Sequence, residues 1–362
     1  MSPTIAIAGG GTGGHVFPAV AVAEALRALS KVDVVFFGTE RGLEARVVPE
    51  RGFRLEMLRV EPLRGRGAGR ALRASAVALR ATVESLSRVK RLGPQAMLSV
   101  GGYAAGPVSL AAGVLRIPIA VLEPNSVVGL TNRILGPVAR RAYIAWDDAA
   151  GAFRERALRP FGVPLRPGFT PRPYVSGSPS LKILVLGGSQ GAALLNERIP
   201  ESIARLASRR VPAPRVLHQA GRDREDRVRA AYARAGVREA VVTAFIDDVA
   251  GAIADADLVV SRAGAGAIAE ITSIGRASLL VPLPHAADDH QTKNALALVQ
   301  RGAAACLAQG EASAERLAGA LERLLGDESA RVSMADAARS AGRPDAARDV
   351  ASDLLGLAEG AA

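Results

Sequence analysis

His15 stands at the end of a glycine run, Gly9-Gly10-Gly11-Thr12-Gly13-Gly14, so an imidazole able to exchange a proton near neutral pH sits beside a loop suited to a charged ligand. Glycines let the backbone turn tightly and approach a ligand, and N–H groups at a helix start have the helix dipole behind them. The loop therefore reads as a phosphate cradle. Gly9, Gly11 and Gly14 also satisfy the dinucleotide fingerprint G-x-G-x-x-G. That fingerprint needs an acidic residue about twenty positions on, to take the ribose hydroxyls. Here the second strand exits through Gly38 and Thr39, with Glu40 only after the turn, which weighs against a nicotinamide- or flavin-dependent oxidoreductase. A turn that merely packed a helix on a sheet would need less glycine.

Comparable chemistry recurs in the second half. Gly187-Gly188-Ser189-Gln190-Gly191-Ala192 follows another apolar run, and Ser261-Arg262-Ala263-Gly264-Ala265-Gly266-Ala267 leads into a helical pattern. A helix whose first turn is Gly and Ala can approach a diphosphate closely. Glu270 falls about one turn inside, where it could hold both hydroxyls of a ribose or simply favour the helix dipole. Asp289, His290 and Gln291 have the right types to recognise sugar hydroxyls beyond a strand end, and a capped helix start at Asp288 or Asp289 explains the same run. Asn125 suits a sugar or phosphate edge, or a turn.

These residues need a scaffold, and the patterning supplies one. Apolar runs at 4–8, 32–37, 53–60, 96–100, 117–122 and 142–145 alternate with helical periodicity, which is the grammar of a parallel sheet covered by helices. A Pro/Gly-dense segment at 159–179 reads as an interdomain linker. The grammar then restarts with runs at 181–186, 215–218, 241–245, 258–261, 278–281 and 303–307, and ends in an Ala/Arg-rich helical stretch from Ser313. The expected fold is α/β, two Rossmann-like doubly wound parallel-sheet domains at 1–165 and 166–362, with the carboxyl ends of their sheets facing a common cleft.

Composition narrows the function. The chain has 362 residues, 49% of them hydrophobic, enough for two packed domains. A single cysteine, Cys306, excludes an internal disulfide and a multi-cysteine metal site, and four scattered histidines suggest no metal cluster. No signal peptide is apparent, and the uncharged run 96–115 is punctuated by Gly and Pro, so no transmembrane helix is expected. Residues 1–165 hold 22 Lys+Arg against 12 Asp+Glu, a net of +10, of the +11 in the whole chain. At about 100° per residue, Arg70, Arg73, Arg80, Arg88 and Arg91 share one helix face beside an apolar stripe of Leu72, Ala76, Leu79, Val83 and Leu86. Such a face attracts anionic lipid or is simply solvated; with 4% aromatics and no binding module, nucleic acid is disfavoured.

Taken in order, Gly10-Gly11-Thr12-Gly13-Gly14-His15-Val16-Phe17-Pro18, Gly101-Gly102-Tyr103, Glu123 with Asn125, Gly129-Leu130-Thr131-Asn132, Gly187-Gly188-Ser189-Gln190-Gly191-Ala192, Phe245-Ile246-Asp247-Asp248, Ser261-Arg262-Ala263-Gly264-Ala265 and His290-Gln291 with Asn294-Ala295 resemble the MurG family, bacterial UDP-N-acetylglucosamine transferases of peptidoglycan synthesis. The resemblance spans nearly the whole chain. It implies a GT-B fold with a C-terminal domain that binds the nucleotide-sugar donor and a lipid-binding N-terminal one, on which the C-terminal helix can pack. The implied reaction is inverting, metal-independent and cofactor-free transfer of N-acetylglucosamine from UDP-GlcNAc to the C4 hydroxyl of lipid I, giving lipid II. The implied setting is peripheral, on the anionic cytoplasmic face of the cell membrane, among cell-wall synthesis and division proteins.

By the family's pattern Ile246 meets uracil through its backbone, Glu270 the ribose, Ser189 and Gly191 with Gly264, Ala265 and Gly266 the diphosphate, and Gln291 the N-acetylglucosamine. Thr12, Gly13, Gly14, Asn125 and Arg166 complete the site from the acceptor side. His15 is the candidate base, or it orients an acceptor phosphate. Pro124, Val163, Gly266 and Ala267 depart from the pattern, as does His290, which keeps hydrogen-bonding ability. The competing readings are a related UDP-sugar transferase with a soluble acceptor and, from another class, the oxidoreductase.

Overall fold

The computed structural model describes residues 2–58, 68–177, 180–188, 192–208, 214–284 and 289–360, with side chains described from Arg80 onward in the helix Ala68–Leu92 and as far as Leu206 in the helix Ala193–Ser208. The chain divides into two compact units, Met1–Pro167 with Asp345–Ala362, and Gly168–Pro344.

In the first unit, β1 (Thr4–Ala8), β2 (Asp33–Thr39), β3 (Arg54–Leu58), β4 (Ala96–Ser99), β5 (Ile119–Glu123), β6 (Arg141–Ile144) and β7 (Leu158–Arg159) form one parallel sheet in the order β3-β2-β1-β4-β5-β6-β7. The connecting helices are α1 (Gly13–Leu29), α2 (Glu44–Glu50), α3 (Ala68–Leu92), α4 (Ala105–Val114) and α5 (Leu130–Leu135). Strands covered on both faces read as continuous apolar runs, and Ile5, Ala6, Ile7 and Ala8 are all fully buried. The strand order reverses between β1 and β4, the switch point at which open α/β sheets bind ligands beyond the strands' carboxyl ends. The residues 10–15 and 101–103 are the loops at that point.

The second unit repeats the plan with β8 (Lys182–Leu186), β9 (Arg215–Gln219), β10 (Ala240–Thr243), β11 (Leu258–Ser261), β12 (Ser278–Leu280) and β13 (Ala305–Cys306), ordered β10-β9-β8-β11-β12-β13 and all parallel. Its helices are α6 (Ala193–Ser208), α7 (Glu225–Arg234), α8 (Val249–Asp255), α9 (Ala265–Ile274), α10 (His290–Gln300), α11 (Ala314–Gly326) and α12 (Glu328–Ala341). Its switch point lies between β8 and β11, so the loops entering α6 and α9 flank it.

The last helix, α13 (Ala346–Glu359), belongs to the first unit. Val350, Ala351, Leu354 and Ala358 form a helical stripe buried in the same core as Ile5, Val22 and Leu26. Full burial of Val350 and Leu354 contributes about 2 kcal/mol each. Asp353 adds a polar lock: it accepts from Arg141 Nε at 2.8 Å and the Tyr143 hydroxyl at 2.9 Å, and pairs with Arg159 Nε at 3.5 Å. Burial, with this carboxylate next, raises the Tyr143 pKa.

The Pro/Gly-rich segment read as linker is fastened along much of its second part. Arg276, 2% exposed, donates to the carbonyls of Arg172 (2.9 Å) and Pro173 (3.0 Å). Asp257 accepts from the Tyr174 hydroxyl (3.0 Å) and the amides of Gly177 (2.8 Å) and Lys182 (2.7 Å), and Arg331 Nε reaches the same tyrosine oxygen at 3.0 Å.

Candidate active site

The loop after β1 turns into α1 at Thr12, whose backbone is extended and whose carbonyl accepts the amides of His15 and Val16, both at 3.1 Å. That leaves the Gly13 and Gly14 amides at the first turn without an intrahelical acceptor. Thr12 Oγ1 lies 3.3 Å from His15 Nδ1, which sets the ring's orientation, and the ring is half-buried. Gly101 and Gly102 face it: a Cβ built on Gly101 would lie 3.4 Å from His15 Nε2, and one on Gly102 3.7 Å from Nδ1. Gly102 has φ 82° and a Cβ there would fall 2.8 Å from the Gly10 carbonyl oxygen, so only glycine lets the two loops meet.

A phosphate cradle would need the loop's amides, and two of them are already engaged. Gly9 donates to the Phe37 carbonyl at 3.2 Å, and Gly11 to Glu44 Oε2 at 2.8 Å. Glu44, buried at 1% exposure, also accepts from the Thr39 amide and hydroxyl, both at 2.9 Å. Nothing in the spacing of the charged residues at 40–46 marks Glu44 as buried.

Glu123, at the end of β5, is a second buried carboxylate. Its Oε1 accepts from the Asn125 amide at 3.1 Å and side chain at 3.4 Å; its Oε2 accepts from Gly129 N at 3.0 Å and Asn132 Nδ2 at 3.1 Å. Asn132 also takes the Ser99 hydroxyl at 3.2 Å, and Thr131 donates to the Gly102 carbonyl at 2.9 Å. This network joins Asn125 to the loop beside His15. Arg166 is exposed, immediately before Pro167.

In the second unit Gly264 caps α9 in extended conformation, with Ala265 and Gly266 in its first turn, and a Cβ built on Gly264 or Gly266 meets no atom of the described residues within 4 Å. Among the described residues nothing crowds these two glycines, the condition for a ligand to reach the helix-start amides. Arg262 braces it by donating to the carbonyls of Val281 (3.0 Å) and Pro282 (3.3 Å), with its own pKa lowered by burial, and Asn294 donates to Ala263 at 3.4 Å. Gln291, in the first turn of α10, uses its Oε1 to accept the Leu283 amide at 3.0 Å, which orients its NH2 group as the donor end. Glu270 is half-buried in α9, and Ile246 is buried between β10 and α8. Asp289 occupies the N-cap position of α10 at φ 56°, yet its carboxylate takes the Thr292 hydroxyl (2.7 Å) rather than a backbone amide. Ser189, Gly191 and Asp288 lie outside the described residues.

A buried histidine braces the other side of this unit. His218 Nδ1 lies 3.0 Å from the Tyr232 hydroxyl and Nε2 3.0 Å from Asn196 Oδ1, while Asn196 Nδ2 donates to Ala220 at 2.9 Å. Burial pushes the His218 pKa down to about 4. A cavity of about 500 Å³ lies at the amino ends of β8, β9 and β10, the edge away from these loops.

The glycosyltransferase family 28 N-terminal domain matches residues 5–144, and the family 28 C-terminal domain matches residues 182–350. A protein of Sorangium cellulosum named UDP-N-acetylglucosamine–N-acetylmuramyl-(pentapeptide) pyrophosphoryl-undecaprenol N-acetylglucosamine transferase is 51% identical over 98% of this chain and 88% of its own. One of the same name from Alkalilimnicola ehrlichii is 46% identical over 97% and 98%. The crystal structure of Acinetobacter baumannii MurG superposes with a TM-score of 0.81 at 32% identity, covering 98% of this chain and 99% of that one.

Proposed function

This chain belongs to glycosyltransferase family 28, and from that premise we propose that it transfers N-acetylglucosamine from UDP-GlcNAc to the C4 hydroxyl of lipid I, forming lipid II in peptidoglycan synthesis. The relatives' names support the reaction, and the two unlike helix starts support how its work is divided. The observation that carries the acceptor half is His15, at the switch point of the first sheet and backed by Gly101 and Gly102.

In this reading the acceptor's C4 oxygen attacks C1 of the sugar, the C1–O bond to UDP breaks, and the configuration inverts. His15 accepts the hydroxyl proton, because a sugar hydroxyl is a poor nucleophile until a base takes it. Thr12 holds that ring, Gly13 and Gly14 offer amides to the acceptor's anionic group, and Asn125 and Arg166 complete its binding. On the donor side, charge develops on the departing diphosphate. The amides at Gly264, Ala265 and Gly266 stabilise it without a metal ion, joined by Ser189 and Gly191. Glu270 takes the ribose, Ile246 the uracil through its backbone, and Gln291 the N-acetyl sugar.

The first unit binds the anionic cytoplasmic face of the cell membrane as a peripheral protein. Val83, Leu110, Val114, Leu130, Ile134 and Val138 are exposed on or beside α3, α4 and α5, and Arg80, Arg91, Arg116, Arg133 and Arg140 are exposed in the same elements and the turns that follow them. Apolar contact with basic residues around it is the composition of an interfacial site. Among the described residues no helix is long and apolar enough to cross a membrane.

The test is UDP release with a lipid I analogue, with UDP-GlcNAc against UDP-glucose and UDP-galactose as donors. UDP-GlcNAc is expected to be strongly preferred; turnover with a soluble sugar acceptor alone would overturn the lipid assignment. Flotation of the full chain with anionic and neutral vesicles tests the membrane reading, and equal binding to both would count against it.

A further inference from the structure

We propose that Glu44 is a positioning residue for the transfer reaction: it fixes the loop that carries His15 and keeps an anion off the Gly11 amide, directing the acceptor's negative group to Gly13 and Gly14. The proposal rests on the role given to His15 above.

Burying a carboxylate costs several kcal/mol unless hydrogen bonds replace water. Glu44 has three, to Gly11 N at 2.8 Å and to the amide and hydroxyl of Thr39 at 2.9 Å each. Room for it is made by glycine: a Cβ on Gly10, Gly38 or Gly42 would lie 2.2, 2.4 or 2.1 Å from its side-chain atoms. A long side chain could normally swing aside, but this one is held at both oxygens.

The partners are what distinguish it from a carboxylate that only stabilises the fold. Gly11 lies four residues before His15. Thr39 Oγ1 continues to the Tyr103 hydroxyl at 3.1 Å, and the Tyr103 ring lies over Gly11, its Cε1 being 3.4 Å from a Cβ built there. Residues 10–12 and 101–103, the two loops beside the imidazole, are thus referenced to one carboxylate. Its charge also repels a phosphate from the amide it occupies, whereas the amides of Gly13 and Gly14 stand at the positive end of α1.

The experiment is a double-mutant cycle of Glu44→Gln with His15→Ala, read by UDP release with UDP-GlcNAc and a lipid I analogue. Gln keeps the size but turns an NH2 group toward a donor. Displacing a base by a fraction of an ångström lowers kcat by about 10- to 100-fold, and E44Q is expected to do so while the KM for UDP-GlcNAc stays within about twofold. In the His15→Ala background the same change should lower kcat by less than about threefold, because the residue acts through His15. Losses that multiply in the double variant, a donor KM that rises in step, or an unchanged kcat would overturn the proposal. Should E44Q fail to fold, Thr39→Val removes the hydroxyl and the link to Tyr103 but keeps both amide bonds. A several-fold fall in kcat at constant donor KM supports the proposal there, and an unchanged kcat overturns it. Full turnover in the single variant His15→Ala overturns the role of His15 itself and is seen before the cycle is read.

Discussion

Two strand–glycine–helix turns of this molecule look alike as sequence and differ in what lies beneath them. The turn from β1 to α1 is underpinned by a buried glutamate that takes one of its amides and is walled by a second glycine loop. The turn from β11 to α9 has Gly264 and Gly266 uncrowded by the described residues, and it is braced from its flanks by Arg262 and Asn294. A glycine run is therefore not one device. In the first unit it makes room for protein groups around a histidine; in the second, on the function proposed above, it makes room for the donor's diphosphate.

The contrast can be broken at several points. The largest effect is expected at His15: replacing it with alanine should lower kcat by about 10²- to 10⁴-fold while calorimetric UDP binding, which the proposed function assigns to the second unit, persists. The buried histidine of the second unit should behave in the opposite way. His218 is held at a pKa of about 4 in the folded protein, against about 6.5 when unfolded. The unfolded chain then binds more protons between those values, so stability is full above about pH 6.5 and falls as pH drops toward 4. Measured by urea unfolding, the stability advantage of the native chain over His218→Gln should shrink by roughly 2–3 kcal/mol between pH 7 and 4.5. An advantage that stayed constant would show that His218 does not titrate on unfolding.

Smaller effects separate the two glycine starts directly. Gly10→Ala drives a methyl into the Glu44 carboxylate and should destabilise by about 1–3 kcal/mol, seen as a lower melting temperature. Gly266→Val meets none of the described residues, so its melting temperature should hardly move, while UDP affinity falls by about tenfold through lost access to the helix start. If Gly10→Ala were neutral and Gly266→Val destabilising, the assignment of the two turns would have to be exchanged.

Much of the scaffold was legible because buried parallel strands announce themselves as uninterrupted apolar runs. Among the described residues twelve strands fall where those runs are; the thirteenth, β7, is the two-residue Leu158–Arg159, which has no apolar run and abuts the Pro/Gly-dense segment. The placement of the glycine starts, His15, Glu270 and Gln291 in the loops and first helical turns after strands was legible from the apolar runs that precede them, while their roles rest on the function proposed above. Glu44 and the bonding of Glu123 were not, since a lone buried acid has no spacing to betray it and depends on partners distant in sequence. The linker reading missed a similar kind of information: Arg276, Asp257 and Arg331 hold 172–177 from far along the chain.

The return of α13 to the first unit has a consequence in time. A ribosome delivers residues in order, and domains usually fold as they emerge. Here the half made first cannot close its core, or seat Asp353 against Arg141 and Tyr143, until the whole of the other half has been translated. Between those moments a strip of apolar surface that Val350 and Leu354 will cover stays open to water and to other chains. The nascent protein is therefore expected to depend on chaperones most while its second half is being synthesised, and to become resistant to proteolysis only after the final helix emerges.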